Sequence, residues 1–195
     1  MDRTKFVEAV KDRLEQNIFF HSLALEACMG GLYDYFQENN LLNENDLSRD
    51  YWTIAGLIHD IDYSGDTKEL HPLRTREVLG LYSLEIDDTL QRIILAHDKR
   101  QNIQKNNKAE WAIYCADSLT GLITAVAFVY PDRKLSSVKT SSVLKRFLKE
   151  PKFAAGTRRD EVAECSNPEG LNMPLEKFVE ICLVSMQKIS NDIGL

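Results

Sequence analysis

The chain has 195 residues, 44% of them hydrophobic, and a formal net charge of -6 with an isoelectric point near 5.3. This length is enough to bury a substantial core and favours a single domain. The acidic balance gives no reason to expect DNA or an anionic membrane as the main partner, and it is compatible with a small-molecule substrate.

The N-terminal sequence MDRTKFVEAVKDRLEQ mixes charged and apolar residues at helical spacing and lacks the apolar centre of a secretory signal. The longest apolar run, 119–130, is about a dozen residues, fewer than the roughly 20 that span a bilayer. We therefore expect a soluble, cytoplasmic protein. The four cysteines lie far apart in the sequence and are predicted to be reduced, mostly buried thiols: Cys28, Cys115, Cys165 and Cys182.

Apolar residues recur at intervals of three and four along most of the chain, which predicts an all-α fold, a bundle of about eight helices. The predicted helices cover 3–16, 21–38, 48–60, 72–82, 87–97, 109–129, 136–149 and 174–193. Pro131 ends the sixth helix, because a proline ring cannot continue one. No linker divides the chain, so we expect one domain over 1–195, with a core around 18–130 and a helical extension over 131–195.

One segment, 133–159, is strongly basic, with nine Lys or Arg residues against the single acid Glu150. It is typical of a solvated helical face followed by a loop. It is also compatible with a basic rim that attracts an anionic substrate. Charge counting leaves both interpretations open.

The four histidines and one aspartate form an ordered series that suggests a metal site, since imidazole nitrogen and carboxylate oxygen suit divalent ions. Asp117 lies within the apolar stretch AIYCADSLTGLITAVAFVY, where a buried carboxylate needs a metal, an arginine or a ring as partner. The adjacent His59 and Asp60 follow an apolar helix, and His21 lies beside Ile18, Phe19 and Phe20 in a segment predicted to be buried. We expect these ligands to converge.

The spacing of these residues, with the flanking sequences FFHSLALEA, AGLIHDIDY and YCADSLTGL, resembles the HD superfamily of metal-dependent phosphohydrolases, named for the His-Asp pair. The resemblance covers about 100 residues, and the remainder looks like the tail of a small uncharacterised bacterial branch. It implies an HD-type helical bundle in which His21, His59, Asp60 and Asp117 bind one metal. Some branches hold a second metal with two further histidines, which by order are His71 and His97 here. The lysine and the Gly-Tyr-Pro signature of branches that cleave cyclic dinucleotides are missing, with Tyr63 at the lysine position, so that substrate is not expected.

The expected chemistry is hydrolysis of a phosphoester in a nucleotide or small phosphorylated metabolite by a metal-activated water. The ion would be Mg, Mn, Fe, Ni or Zn, one or two per chain. Asp60 could bridge two ions, Asp117 could also orient the water, and a loop acid, Asp62, Asp66 or Glu69, could protonate the leaving group. The predicted phosphate-binding cations lie near the ligands in sequence: Lys99, Arg100, Arg74 and Lys68.

The same residues are compatible with two other functions. Relatives on the same fold use a di-iron centre with six similar ligands to activate oxygen. Others are nucleotide-binding or regulatory modules without turnover. A homo-oligomer is possible.

Overall fold

The computed structural model of the protein describes residues 1–43 and 46–195. Over these residues the chain is all-helical, which confirms the predicted fold class. The α-helices in chain order are α1 (Arg3–Arg13), α2 (Gln16–Glu38), α3 (Arg49–Ile58), α4 (Thr75–Leu81), α5 (Asp88–Ala96), α6 (Lys108–Phe128), α7 (Thr140–Lys149), α8 (Arg159–Ala163) and α9 (Leu175–Lys188). Short 3-10 helices cover Gly65–Leu70, Lys99–Gln101, Leu135–Ser137 and Glu164–Ser166.

Several helices begin or end at residues other than the predicted ones. α2 begins at Gln16, so His21 lies in its second turn and does not open the helix. The predicted helix over 136–149 divides into a 3-10 turn and α7. α8 was not predicted, because five residues are too few to show a helical period.

Helix α2 is the centre of the bundle and packs against α3, α6 and α9. Its approach to α3 is very close: a Cβ atom built on Gly56 would lie 2.9 Å from the backbone nitrogen of Glu26. Only glycine allows two helix backbones to come this near. The contact brings the C-terminal end of α3, and therefore the His59-Asp60 pair, beside α2.

Helix α6 is long and apolar enough to cross a membrane by length and composition alone, but 67% of its most apolar window is buried inside the protein. Core helices of soluble proteins pass the same test. It runs from the N-cap Asn107, whose side chain accepts a hydrogen bond from the Glu110 amide, through the middle of the core. The four cysteines are free and buried, as predicted.

Candidate metal centre

Five segments of the chain bring the six predicted ligands to one place. His21 projects from α2 and Asp117 from the middle of α6, while His59 and Asp60 follow the last residue of α3. His97 follows α5, and His71 lies between a 3-10 helix and α4. The ligands therefore come from positions up to 96 residues apart and meet only because the helices pack.

The first group of ligand atoms comes from His21, His59 and Asp117. The Nε2 atoms of the two histidines are 3.1 Å apart. The Asp117 Oδ1 atom lies 3.0 Å from the His21 Nε2 and 3.7 Å from the His59 Nε2. Ligands about 2.0–2.2 Å from one ion, at octahedral or tetrahedral angles, are roughly 3.0–3.5 Å from each other, so this group fits a metal ion.

The second group comes from Asp60, His71 and His97. The Nε2 atoms of the two histidines are 3.0 Å apart, and the His71 Nε2 lies 3.3 Å from the Asp60 Oδ1. These separations also match ligands around one ion. The two groups together place two histidines and one carboxylate around each of two points.

Asp60 lies between the two groups. Its Oδ1 faces His71, whereas its Oδ2 is 3.3 Å from the Nε2 of His59 and 3.7 Å from that of His21. Burial opposes the charged form, but the neighbouring His59 and His21 outweigh it and hold the pKa of Asp60 below its ordinary value. An ionised carboxylate with one oxygen toward each group can bridge two ions.

The other ring nitrogen of each histidine is occupied by an oxygen. The His59 Nδ1 donates to the Gly56 carbonyl at 2.9 Å, and the His97 Nδ1 donates to the Ile94 carbonyl at 2.5 Å. The His71 Nδ1 donates to the Asp62 carboxylate at 2.6 Å. These bonds fix the tautomers and leave each Nε2 as a ligand atom, the arrangement usual in metal sites.

The tautomer of His21 follows from Thr120. The Thr120 hydroxyl donates its single proton to the Asp117 carbonyl at 2.7 Å, so its oxygen accepts the bond of 2.9 Å from the His21 Nδ1. The Nε2 of His21 therefore faces the cluster, like the other three. The sequence signal for Thr120 was its place one helical turn after Asp117, which we did not use.

Burial and charge act differently on His97 and His21. Burial is the main reason that the pKa of His97 falls to about 4, so this ring is neutral at pH 7. Burial also opposes the charged form of His21, but its bond with Asp117 prevails and raises the pKa. The same bond outweighs burial at Asp117 and lowers its pKa well below the ordinary value. The bond between His21 and Asp117 thus favours a protonated ring beside an ionised carboxylate.

A cavity of about 890 Å³ opens over the ligands. Lys99 and Arg100, two of the predicted phosphate-binding cations, line it, although they also pair with Asp160 and Asp98. A smaller cavity of about 480 Å³ lies between α1, α2 and α3, and the described residues around it include none of the six ligands.

Three predicted residues lie elsewhere. Lys68 sits above the Tyr63 ring and Arg74 pairs with Glu77, and neither is among the described residues that line the cavity. Asp62 is fully buried and accepts hydrogen bonds from His71 and the Arg74 amide. It is placed to orient His71, not to reach a leaving group.

Among the described residues that line the cavity, Arg158 is the one cation that we did not predict. It follows the loop 154–157, which lines one side of the cavity, and its guanidinium donates to the Asp117 Oδ2 at 2.5 Å. Among the described residues of the basic segment 133–159, it is the only cation in the cavity lining. Nothing in the local sequence separates it from eight similar neighbours.

Comparison of the chain with protein-family models, with curated proteins and with solved structures gives no match. The chemistry of the candidate metal centre is therefore the basis on which a function can be assigned.

Proposed function

We propose that the protein is a metal-dependent phosphohydrolase of the HD superfamily that holds two divalent ions, one in each ligand group. The observation that carries the proposal is the orientation of the four histidines. Each donates Nδ1–H to an oxygen and presents Nε2 to a shared space that also holds two carboxylates. Lone pairs and negative charges facing one another need cations between them.

Divalent ions in these groups would lower the pKa of a bound water toward about 7 and offset the charge of a phosphoryl group. The chain's own residues do the rest. Asp60 joins the two groups, because one of its oxygens faces His59 and the other faces His71. Asp117 supplies the carboxylate of the first group, beside His21 and His59. Asp62 positions His71, a role that replaces the proton-donor role expected from the sequence.

The substrate enters the open cavity above the ligands. Its volume of about 890 Å³ lies in the range of small-molecule sites and is ample for a nucleotide or a phosphorylated metabolite. Lys99 and Arg100 at its rim attract anions. These features favour phosphoester hydrolysis over reactions of uncharged substrates. As a separate point, we propose that the protein acts in the cytoplasm.

The direct test is metal content of the protein as isolated, paired with hydrolysis of a panel of phosphate esters. Asp60→Asn should lower both the metal content and the hydrolysis, because it removes the charge that joins the two groups. Asp88→Asn, at an exposed carboxylate that pairs with Arg76, is the matched control and should change neither. If Asp60→Asn hydrolysed esters at the wild-type rate, the proposal would be wrong.

The six-ligand arrangement supports a second candidate as well, an oxygenase with two irons. Two histidines and a carboxylate per group suit iron as well as other divalent ions. The test separates the two: two irons per chain with oxygen uptake would favour the oxygenase, whereas phosphate release without oxygen uptake would favour the phosphohydrolase.

A further inference from the structure

The guanidinium of Arg158 reaches the candidate metal centre from the C-terminal part of the chain. Its Nη2 donates to the Asp117 Oδ2, while the other oxygen of Asp117 faces His21 and His59. The two oxygens of this carboxylate thus have separate neighbours. Arg158 keeps Asp117 turned so that Oδ1 alone faces the first ligand group.

Three bonds fix Arg158 itself. Besides the bond to Asp117, its Nε donates to the Glu161 carboxylate at 2.7 Å, and Glu161 is only 3% exposed. Its backbone amide donates to the Ser118 hydroxyl at 2.7 Å, which ties the loop to α6. An arginine held in this way is ready to bind a ligand with little further loss of side-chain freedom.

Arg159 holds the loop that precedes Arg158. The Arg159 guanidinium donates to the backbone carbonyls of Phe147, Glu150, Phe153 and Ala154. It thereby braces the segment from inside, without using the cavity. Alanine, glycine and threonine over 154–157 line the cavity with small side chains, so Arg158 is the long side chain on this wall.

Part of the Arg158 guanidinium remains free. The side chain is 45% exposed, and its Nη1 forms no hydrogen bond with the described residues. A guanidinium has five N–H donors, and a free edge matches two oxygens of a phosphoryl group. The free edge belongs to a residue that lines the cavity above both ligand groups.

We infer that Arg158 binds the phosphoryl oxygens of the substrate through Nη1 while its Nη2 positions Asp117. The inference rests on the proposed function for its substrate class. Lysine would not serve equally, because an ammonium group cannot hold Asp117, Glu161 and a phosphate in one plane.

Charge makes the binding depend on metal. Arg158 pairs with two carboxylates, Asp117 and Glu161, so these three side chains together are net negative. Two divalent ions reverse that sign. An anion should therefore bind at Arg158 only after the ligand groups are loaded.

The test measures binding of inorganic phosphate by calorimetry to the full-length protein loaded with Mn²⁺, with Mn²⁺ content measured in parallel. The wild type should bind phosphate when loaded and lose that binding after chelation. Arg158→Gln should weaken phosphate binding about tenfold or more at saturating Mn²⁺, since a charge-assisted bond is lost. Arg158→Lys should recover part of the affinity through charge alone.

Arg76→Gln is the matched control, because Arg76 is equally exposed, at 46%, and pairs with Asp88 outside the cavity lining. It should bind phosphate as the wild type does. If Arg158→Gln folds poorly, Arg158→Lys supplies the comparison.

Equal phosphate affinity in wild type and Arg158→Gln at saturating Mn²⁺ would overturn the inference, and so would a loaded wild type that binds no phosphate. If the wild type hydrolyses no ester but binds phosphate in a way that depends on Arg158, the proposed function alone would be rejected. Hydrolysis that is unaffected by Arg158→Gln would reject the inference alone.

Discussion

Thr120 determines how His21 faces the candidate metal centre: its oxygen lies 2.9 Å from the His21 Nδ1, and its proton is donated to the Asp117 carbonyl. One hydroxyl thus links the first ligand of the chain to the last. The bond matters because an imidazole with the wrong tautomer presents a proton, not a lone pair, to an ion.

Replacing Thr120 with Val should weaken metal binding about tenfold, because the His21 Nδ1–H loses its acceptor while the side-chain shape is kept. Metal titration of the purified protein measures the effect. Thr120→Ser keeps the hydroxyl and should bind metal nearly as well as the wild type. Equal affinities for the Val and Ser variants would contradict the role assigned to this bond.

Replacing Asp62 with Ala should empty the second ligand group first. Asp62 holds the Nδ1 of His71, whereas the three ligands of the first group do not contact it. We expect about 10- to 100-fold weaker binding at one of the two metal sites. Metal analysis at limiting metal should find close to one ion per chain, and retention of two would argue against the positioning role.

Metal affinity should rise with pH around the pKa of His21. A metal ion displaces the proton between His21 and Asp117, and the raised pKa of His21 means that this proton persists to a higher pH than in an ordinary histidine. Affinity should therefore increase as the pH passes through that pKa and level off above it. His97, with its pKa at about 4, is already neutral and should add no slope above pH 6.

Calorimetric metal titrations between pH 5.5 and 8.5, in buffers of different ionisation enthalpy, would count the protons released. Proton release that declines as the pH rises is the expected pattern, because a larger share of His21 has then already lost its proton. Metal affinity that stays constant over the whole range would exclude a protonated His21 in the metal-free protein.

Gly56→Ala should destabilise the protein by about 1–3 kcal/mol, because the new methyl group would press on the backbone of Glu26 and force α2 away from α3. The same displacement would separate His21 from His59 and weaken metal binding. Gly80→Ala is the control: no atom lies within 4 Å of the added Cβ, so alanine should leave stability unchanged or raise it by up to about 1 kcal/mol. Urea unfolding of both variants measures the difference.

The sequence was sufficient to find the helical fold and the six residues of the centre, because Asp117 and the His59-Asp60 pair stand out within or beside apolar helices. The resemblance implied that Asp60 belongs with His21, His59 and Asp117, whereas the packing of the five segments also groups it with His71 and His97. Lys68 and Arg74 are near His71 in sequence, yet neither is among the described residues that line the cavity. Arg158 is 41 residues from Asp117, and only the tertiary structure shows that they touch.

The convergence of five distant segments on two ligand groups has a consequence for the unfolded chain, in which no such site exists. Ions that bind only the folded form act as reversible cross-links between these segments, and their binding free energy adds to the stability of the fold. The melting temperature should then climb with free metal concentration and drop on addition of a chelator. Heat resistance would thus report how much metal the protein has bound, in a measurement that needs no substrate.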